Sequence, residues 1–89
     1  MGDLNTYGTH IIFAPAPKAK PDAKTLRWVV RSYDMMPDLA DIAWFGRWRK
    51  YAMYPLPGTV YEEVCLREIA NFCEQRTREH RAAKKDEFK

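Results

Sequence analysis

The chain has little with which to do chemistry. Its 89 residues hold two histidines, His10 and His80, on separate segments and without a cysteine or carboxylate at ligand spacing, which argues against a metal centre. It has four glycines but no Gly-rich phosphate loop, and no serine–histidine–aspartate or cysteine–histidine grouping stands out. The two cysteines, Cys65 and Cys73, fall within what reads as one helix. At about 1.5 Å rise per residue they stand roughly 12 Å apart, beyond disulfide reach. They read as reduced core residues, which suits a cytoplasmic setting. No apolar run approaches the ~20 residues that a bilayer span requires, and the start of the chain lacks a signal-peptide layout. Enzyme is therefore the weakest class: no catalytic residue, cofactor, metal or membrane is expected.

Charge is present but dilute. The net charge is +3, and the 31 residues from Thr59 to Lys89 cancel at seven against seven. A mild basic excess of +2 sits on residues 26–58, from five bases against three acids, too small to establish a nucleic-acid partner by itself. The opening MGDLNT fits the short pattern for N-myristoylation at Gly2, but that motif is frequent by chance and the stretch reads as an ordinary frayed terminus.

What the chain does have is aromatic residues, 13% of the total, an economical way to build a small core. His10 to Pro15, HIIFAP, contains β-formers and can run extended. The stretch APAPKAKPDAK that follows interleaves three prolines with small and charged residues, and reads as a polyproline-like linker. Residues 1–24 are thus expected to be an N-terminal arm, residues 25–83 the folded domain, and residues 84–89 a charged tail.

Within the domain, LRWVVRSY alternates as a half-buried strand does, with Leu26, Trp28 and Val30 on one side and Arg27, Val29 and Arg31 on the other. DMMPDLAD reads as a turn-rich connection, IAWF as a second strand, and Trp48 to Tyr54 as a third. Gly46-Arg47 then forms a two-residue turn with Gly46 at positive φ, which sets Phe45 opposite Trp48, Trp44 opposite Arg49 and Ile42 opposite Tyr51. Thr59 with Glu62 three residues on makes a capping box for a helix from about Val60 to about Ala82. Tyr61, Cys65, Ile69, Phe72 and Cys73 form its apolar stripe, with Leu66 at the margin. Glu63–Arg67 and Glu74–Arg78 add i,i+4 pairs. The expected fold is α+β: a three-stranded antiparallel β-meander packed on one C-terminal α-helix, β-β-β-α, behind a Pro-rich N-terminal arm.

The stretch WFGRWRKYAMY packs five aromatics and three bases into eleven positions. Strand alternation divides them between two faces. One face collects Leu26, Trp28, Val30, Ile42, Trp44, Tyr51 and Met53 and receives the helix. The other collects Arg27, Arg31, Tyr33, Phe45, Trp48, Lys50 and Tyr54. One helix covers one side of a sheet, so this second face meets solvent, a folded-back N-terminal arm, a second subunit or a partner. Rings interleaved with bases serve protein interfaces, where Trp, Tyr and Arg dominate, and also single-stranded nucleic acid, where rings stack on bases.

WFGRWRKYAMYP followed by PGTVYEEVCLREIANFC resembles a group of small, mostly uncharacterised proteins encoded by phages and prophages. The resemblance rests on Trp44, Phe45, Gly46, Trp48, Arg49, Tyr51, Pro55, Thr59, Cys65, Leu66, Ile69 and Phe72, and covers about Leu26 to Phe72. It implies a phage-type accessory protein acting in the host cytosol and assigns no biochemical activity. Such proteins commonly dock on host machinery, defence complexes included. The leading expectation is a non-enzymatic protein that binds a host protein or nucleoprotein complex through Arg27, Arg31, Tyr33, Phe45, Trp48, Lys50 and Tyr54. Single-stranded nucleic acid on the same face is the second reading, and self-association into a homodimer the third.

Overall fold

The computed structural model describes residues 5–18, 20–33 and 38–86. Gly2, with its myristoylation pattern, and Met35, Met36 and Pro37 of the expected connection lie outside the described residues. Five strands, β1 (Thr6–Tyr7), β2 (Ile11–Ala16), β3 (Arg27–Ser32), β4 (Asp38–Phe45) and β5 (Lys50–Pro55), precede one helix, α1 (Glu63–Asp86). The strands form a single antiparallel sheet in the order β1-β2-β3-β4-β5, and α1 packs across one face.

The α+β class and the C-terminal helix on an antiparallel sheet agree with the sequence; the strand count does not. There are five strands rather than three, because residues expected in the arm supply β1 and β2. Ile11, Phe13 and Ala14 are buried, with Phe13 opposite Val30 and Ile11 opposite Ser32. Pro15 lies within β2 opposite Trp28, where β1, which reaches only Ile12 and Phe13, no longer flanks it. At such an edge the missing N–H of proline leaves no ladder bond unmade. β4 likewise begins at Asp38, four residues before the expected start at Ile42, and a bulge accommodates the extra length. Val30 pairs with Ala40 and Arg31 with Asp38, which leaves Leu39 as the extra residue.

The β4–β5 turn is also longer than expected. Phe45 pairs with Lys50 and Trp44 with Tyr51, so Gly46, Arg47, Trp48 and Arg49 form a four-residue loop. The positive φ falls on Arg49, at 56°, and not on Gly46. Energetics explain the difference. A two-residue turn would set Arg49 opposite Trp44, on the face that α1 covers. A guanidinium buried there without a partner costs several kcal/mol, against about 1–3 kcal/mol for one residue in a left-handed conformation. The slide is two residues, so every β5 side chain keeps its expected face.

The core forms between α1 and the facing sheet residues: Ile11, Phe13, Trp28, Val30, Ala40, Ile42 and Tyr51 meet Cys65, Ile69 and Phe72. Phe13 stacks on Phe72 at 4.1 Å, and Trp28 meets Phe72 and Tyr51 edge-on at 5.1 and 5.4 Å. Leu26 and Leu66, expected at or beside the core, are 47% and 48% exposed. The helix begins later than expected. Glu62 caps it, its Oε1 accepting from the Cys65 N–H at 2.6 Å, a bond that holds the Glu62 carboxyl below its ordinary pKa. Thr59 instead donates to the Leu56 carbonyl at 2.8 Å, and Tyr61 donates to the Leu39 carbonyl at 2.6 Å, tying an extended approach segment to β4. The two expected i,i+4 pairs form, Glu63–Arg67 at 3.5 Å and Glu74–Arg78 at 3.3 Å. Both cysteines are free thiols.

Candidate functional site: the sheet face opposite the helix

Register places the open face residue by residue. Opposite pairs share a side, so Tyr7–Ile12–Arg31–Asp38 form one row across the sheet and Ala14–Val29–Asp41–Tyr54 the next. Ala16–Arg27–Ala43–Ala52 form the third, and Phe45–Lys50 close the end nearest the hairpin loop. Small side chains thus run through the middle of the face, with rings at two corners.

The first corner is Phe45, Trp48 and Tyr54. The Trp48 ring meets Phe45 edge-on at 4.7 Å, and Tyr54 meets Phe45 at 6.5 Å. The four-residue loop lifts Trp48 off the ladder and folds it over Phe45, and 64% of its surface remains exposed. A tryptophan held this way is partly preorganised, so less side-chain freedom is lost when its remaining surface is covered. The second corner is Tyr33 stacked on Tyr7 at 6.4 Å, with the Tyr33 hydroxyl donating to the Gly8 carbonyl. At about 3.3 Å per residue, the six steps of β3 from Arg27 to Tyr33 separate the two ends of this face by roughly 20 Å.

The bases between the corners are already engaged. Arg31 Nε donates to Asp38 Oδ1 at 2.8 Å, and Arg27 Nη2 lies 3.7 Å from Asp41 Oδ2. Arg27 also donates from Nη1 to the Pro17 carbonyl at 3.0 Å. Neither aspartate was singled out in the sequence, because DMMPDLAD reads as a turn and its carboxylates then have no face. Lys50 sits at the strand edge and lines a cleft of about 500 Å³ between β5 and α1 with Thr77, Arg78 and Arg81. Of the seven residues expected to form one site, the structure therefore gathers Phe45, Trp48 and Tyr54 together. It places Arg27 on their side of the face and Arg31 with Tyr33 at the far corner, both arginines in ion pairs, and Lys50 at the edge.

A folded-back N-terminal arm, one of the four covers open to this face, is not what the described residues form. Tyr7, Ile11, Ile12 and Phe13 extend the sheet sideways as β1 and β2. Only Ile12 and Ala14 are buried on the open side, beneath the Tyr7, Tyr33 and Arg31 end.

Burial pushes the Cys73 thiol up to about 11 and raises Cys65 as well, which keeps both protonated near neutral pH. Among the described residues no group of three histidine, cysteine or acidic side chains is placed to hold a metal ion. No helix among them is long and apolar enough to cross a membrane. Comparison with family models, with curated proteins and with solved structures returns no match to this chain.

Proposed function

We propose that this chain is a non-enzymatic accessory protein of the phage type, which binds a host protein or protein-rich complex in the cytosol through the sheet face opposite α1. The observation that carries the reading is the Phe45–Trp48–Tyr54 corner: a tryptophan 64% exposed, seated on a second ring, on a face that no layer of the described residues covers. Burying such a ring contributes strongly to binding, and the small residues beside it allow a partner to approach closely. The ion pairs favour a protein over nucleic acid. Arg27, Arg31 and Lys50 against Asp38 and Asp41 leave this face at +1, and each arginine would have to exchange an aspartate for a phosphate. Inhibition of a host defence complex is the form of docking that the phage resemblance brings to mind, and it enters here on that resemblance alone.

The test is affinity capture from host lysate with wild-type protein and with Trp48→Ala. The expected result is a defined partner recovered by the wild type and lost by Trp48→Ala, whose thermal melt matches wild type. Equal recovery by both proteins, or unfolding of Trp48→Ala, refutes the assignment of this corner. Binding to single-stranded oligonucleotide that weakens steeply with salt, with a shallower slope in Lys50→Ala, would move the assignment to nucleic acid.

A further inference from the structure

On the opposite side of the hairpin loop, at the far end of α1, four bases from three segments of the chain converge around Trp44 and His80. A cleft of about 640 Å³ is lined by Lys18, Lys24, Arg49, Trp44 and His80, with Ala23, Thr25, Gly46 and Ala83 completing its walls. A contiguous cleft of about 340 Å³ shares Trp44, Arg49 and His80 and adds Arg81. Lys18, Lys24, Arg49 and Arg81 bring four positive charges, more than the +3 of the entire chain, and among the described residues no aspartate or glutamate lines either cleft. Glu79, of an adjoining hollow, is paired with Arg76 at 2.9 Å, and Asp22 stands one residue before Ala23 of the wall without lining it. None of the four bases is ion-paired among the described residues. The helix dipole accounts for a base such as Arg81 near the end of α1, but not for Lys18, Lys24 and Arg49, which come from other segments.

The arrangement is held from several sides. Arg81 donates from Nη2 to the Arg49 carbonyl at 3.1 Å, fixing the hairpin loop to the helix. The Tyr51 hydroxyl accepts from the Leu26 N–H at 3.0 Å, and Arg27 holds the Pro17 carbonyl, which together fasten the segment carrying Lys18 and Lys24 at both ends. The Trp44 and His80 rings lie 4.5 Å apart and are tilted 44° to one another, so that Trp44 offers its face with His80 angled beside it.

Unpaired bases over an aromatic wall, in a cavity of this size, fit a ligand with phosphate at one end and a planar ring at the other. We propose that this cleft binds a nucleoside phosphate, free or at the end of a nucleic-acid strand, with phosphate on Lys18, Lys24 and Arg49 and the base against Trp44 and His80. The site is separate from the Trp48 corner and does not depend on the function proposed for it.

Calorimetric titration at low salt with ADP, adenosine, inorganic pyrophosphate, and one oligonucleotide with and without a 5′-phosphate tests this. ADP is expected to bind about tenfold or more tightly than either adenosine or pyrophosphate. The double variant Lys24→Ala/Arg49→Gly should weaken ADP by about tenfold or more, since two charge-assisted contacts go. Glycine suits the left-handed position of Arg49 and keeps the carbonyl that Arg81 binds, so this variant should retain its fold by circular dichroism. Tighter binding of the 5′-phosphorylated strand than of ADP assigns the site to a strand end, and the reverse order assigns it to free nucleotide. Absence of saturable ADP binding, pyrophosphate binding as tight as ADP, or an undiminished double variant would overturn the proposal.

Discussion

Thr77→Val should destabilise this protein more than Thr77→Ser, although valine matches threonine in volume and serine does not. Thr77 sits on α1 at 5% exposure, facing the outer edge of β5. Its Oγ1 accepts from the Tyr51 N–H at 3.0 Å and donates to the Cys73 carbonyl at 2.8 Å. The Cys73 carbonyl lies within α1, where a residue one turn on can serve it, so the loss that matters is on Tyr51. Tyr51 lies on the edge strand, and its buried N–H has no strand beside it. Valine would leave that donor buried without an acceptor, at about 1–3 kcal/mol.

For 89 residues the entropy of unfolding near the midpoint is about 190 cal/mol/K, so a loss of about 2 kcal/mol lowers Tm by roughly 10 °C. Serine keeps the hydroxyl and loses one methyl, about 0.8 kcal/mol or roughly 4 °C. Helix propensities of the three residues are close enough not to reverse this order. Thermal unfolding followed by circular dichroism at 222 nm measures all three. The expected order of stability is wild type, then Thr77→Ser, then Thr77→Val. If Thr77→Val melts at or above wild type while Thr77→Ser melts lower, burial of the methyl governs the contact and the hydrogen-bond reasoning fails.

Gly8→Ala should cost about 1 kcal/mol, because a Cβ there would lie 2.8 Å from Glu68 Cδ and displace the carboxylate that accepts from the Thr9 N–H at 2.6 Å. In Glu68→Ala the same change at Gly8 should cost much less, and simple additivity in that double-mutant cycle would refute the clash. Burial pushes the Cys73 thiol up to about 11, above its ordinary value of 9.0. Between those values the unfolded chain ionises this thiol and the folded chain does not, so stability falls as pH rises from 9 towards 11. Denaturant titrations of wild type and Cys73→Ala across that window should show the steeper fall in wild type, and parallel curves would deny the shift.

The parts of this fold legible in the sequence are those that repeat. Alternation in LRWVVRSY gave the two sides of β3 correctly, and the spacing of Cys65, Ile69 and Phe72 gave the buried stripe of α1. β2 is legible as an extended run in HIIFAP, but the composition that follows conceals that it joins the sheet. Prolines after Phe13 suggest a linker until one knows that β1 is only two residues long and leaves Pro15 at an edge. Asp38 and Asp41 were obscured for a related reason, since carboxylates beside a proline favour a turn unless cross-strand arginines pair with them. His80 sits where the helix turns polar, yet it packs on Trp44, because the hairpin loop brings β4 and α1 together at that point. Each miss concerns a contact across the sheet or between sheet and helix, which local periodicity does not encode.

The hairpin loop shows how one local choice sets both surfaces of the molecule. Taking four residues out of the ladder keeps Arg49 exposed instead of buried beneath α1 and brings Trp44, Tyr51 and His80 together, with Trp44 at 5.2 Å from Tyr51. It also sends two adjacent loop residues to opposite sides. Trp48 turns onto Phe45 and the open face, while Arg49, at φ 56°, turns to the Trp44–His80 cleft. A two-residue turn would have put Trp48 in register opposite Phe45, as one more ring on a flat strand, and would have removed Arg49 from the cleft. The left-handed residue costs about 1–3 kcal/mol. Contacts on both sides of the sheet offset that cost: the Arg81 bond to the Arg49 carbonyl, the ring packing around Trp44 and the Phe45–Trp48 contact. Strain at a surface loop persists only where its surroundings over-determine it, and here the surroundings are the two sites themselves.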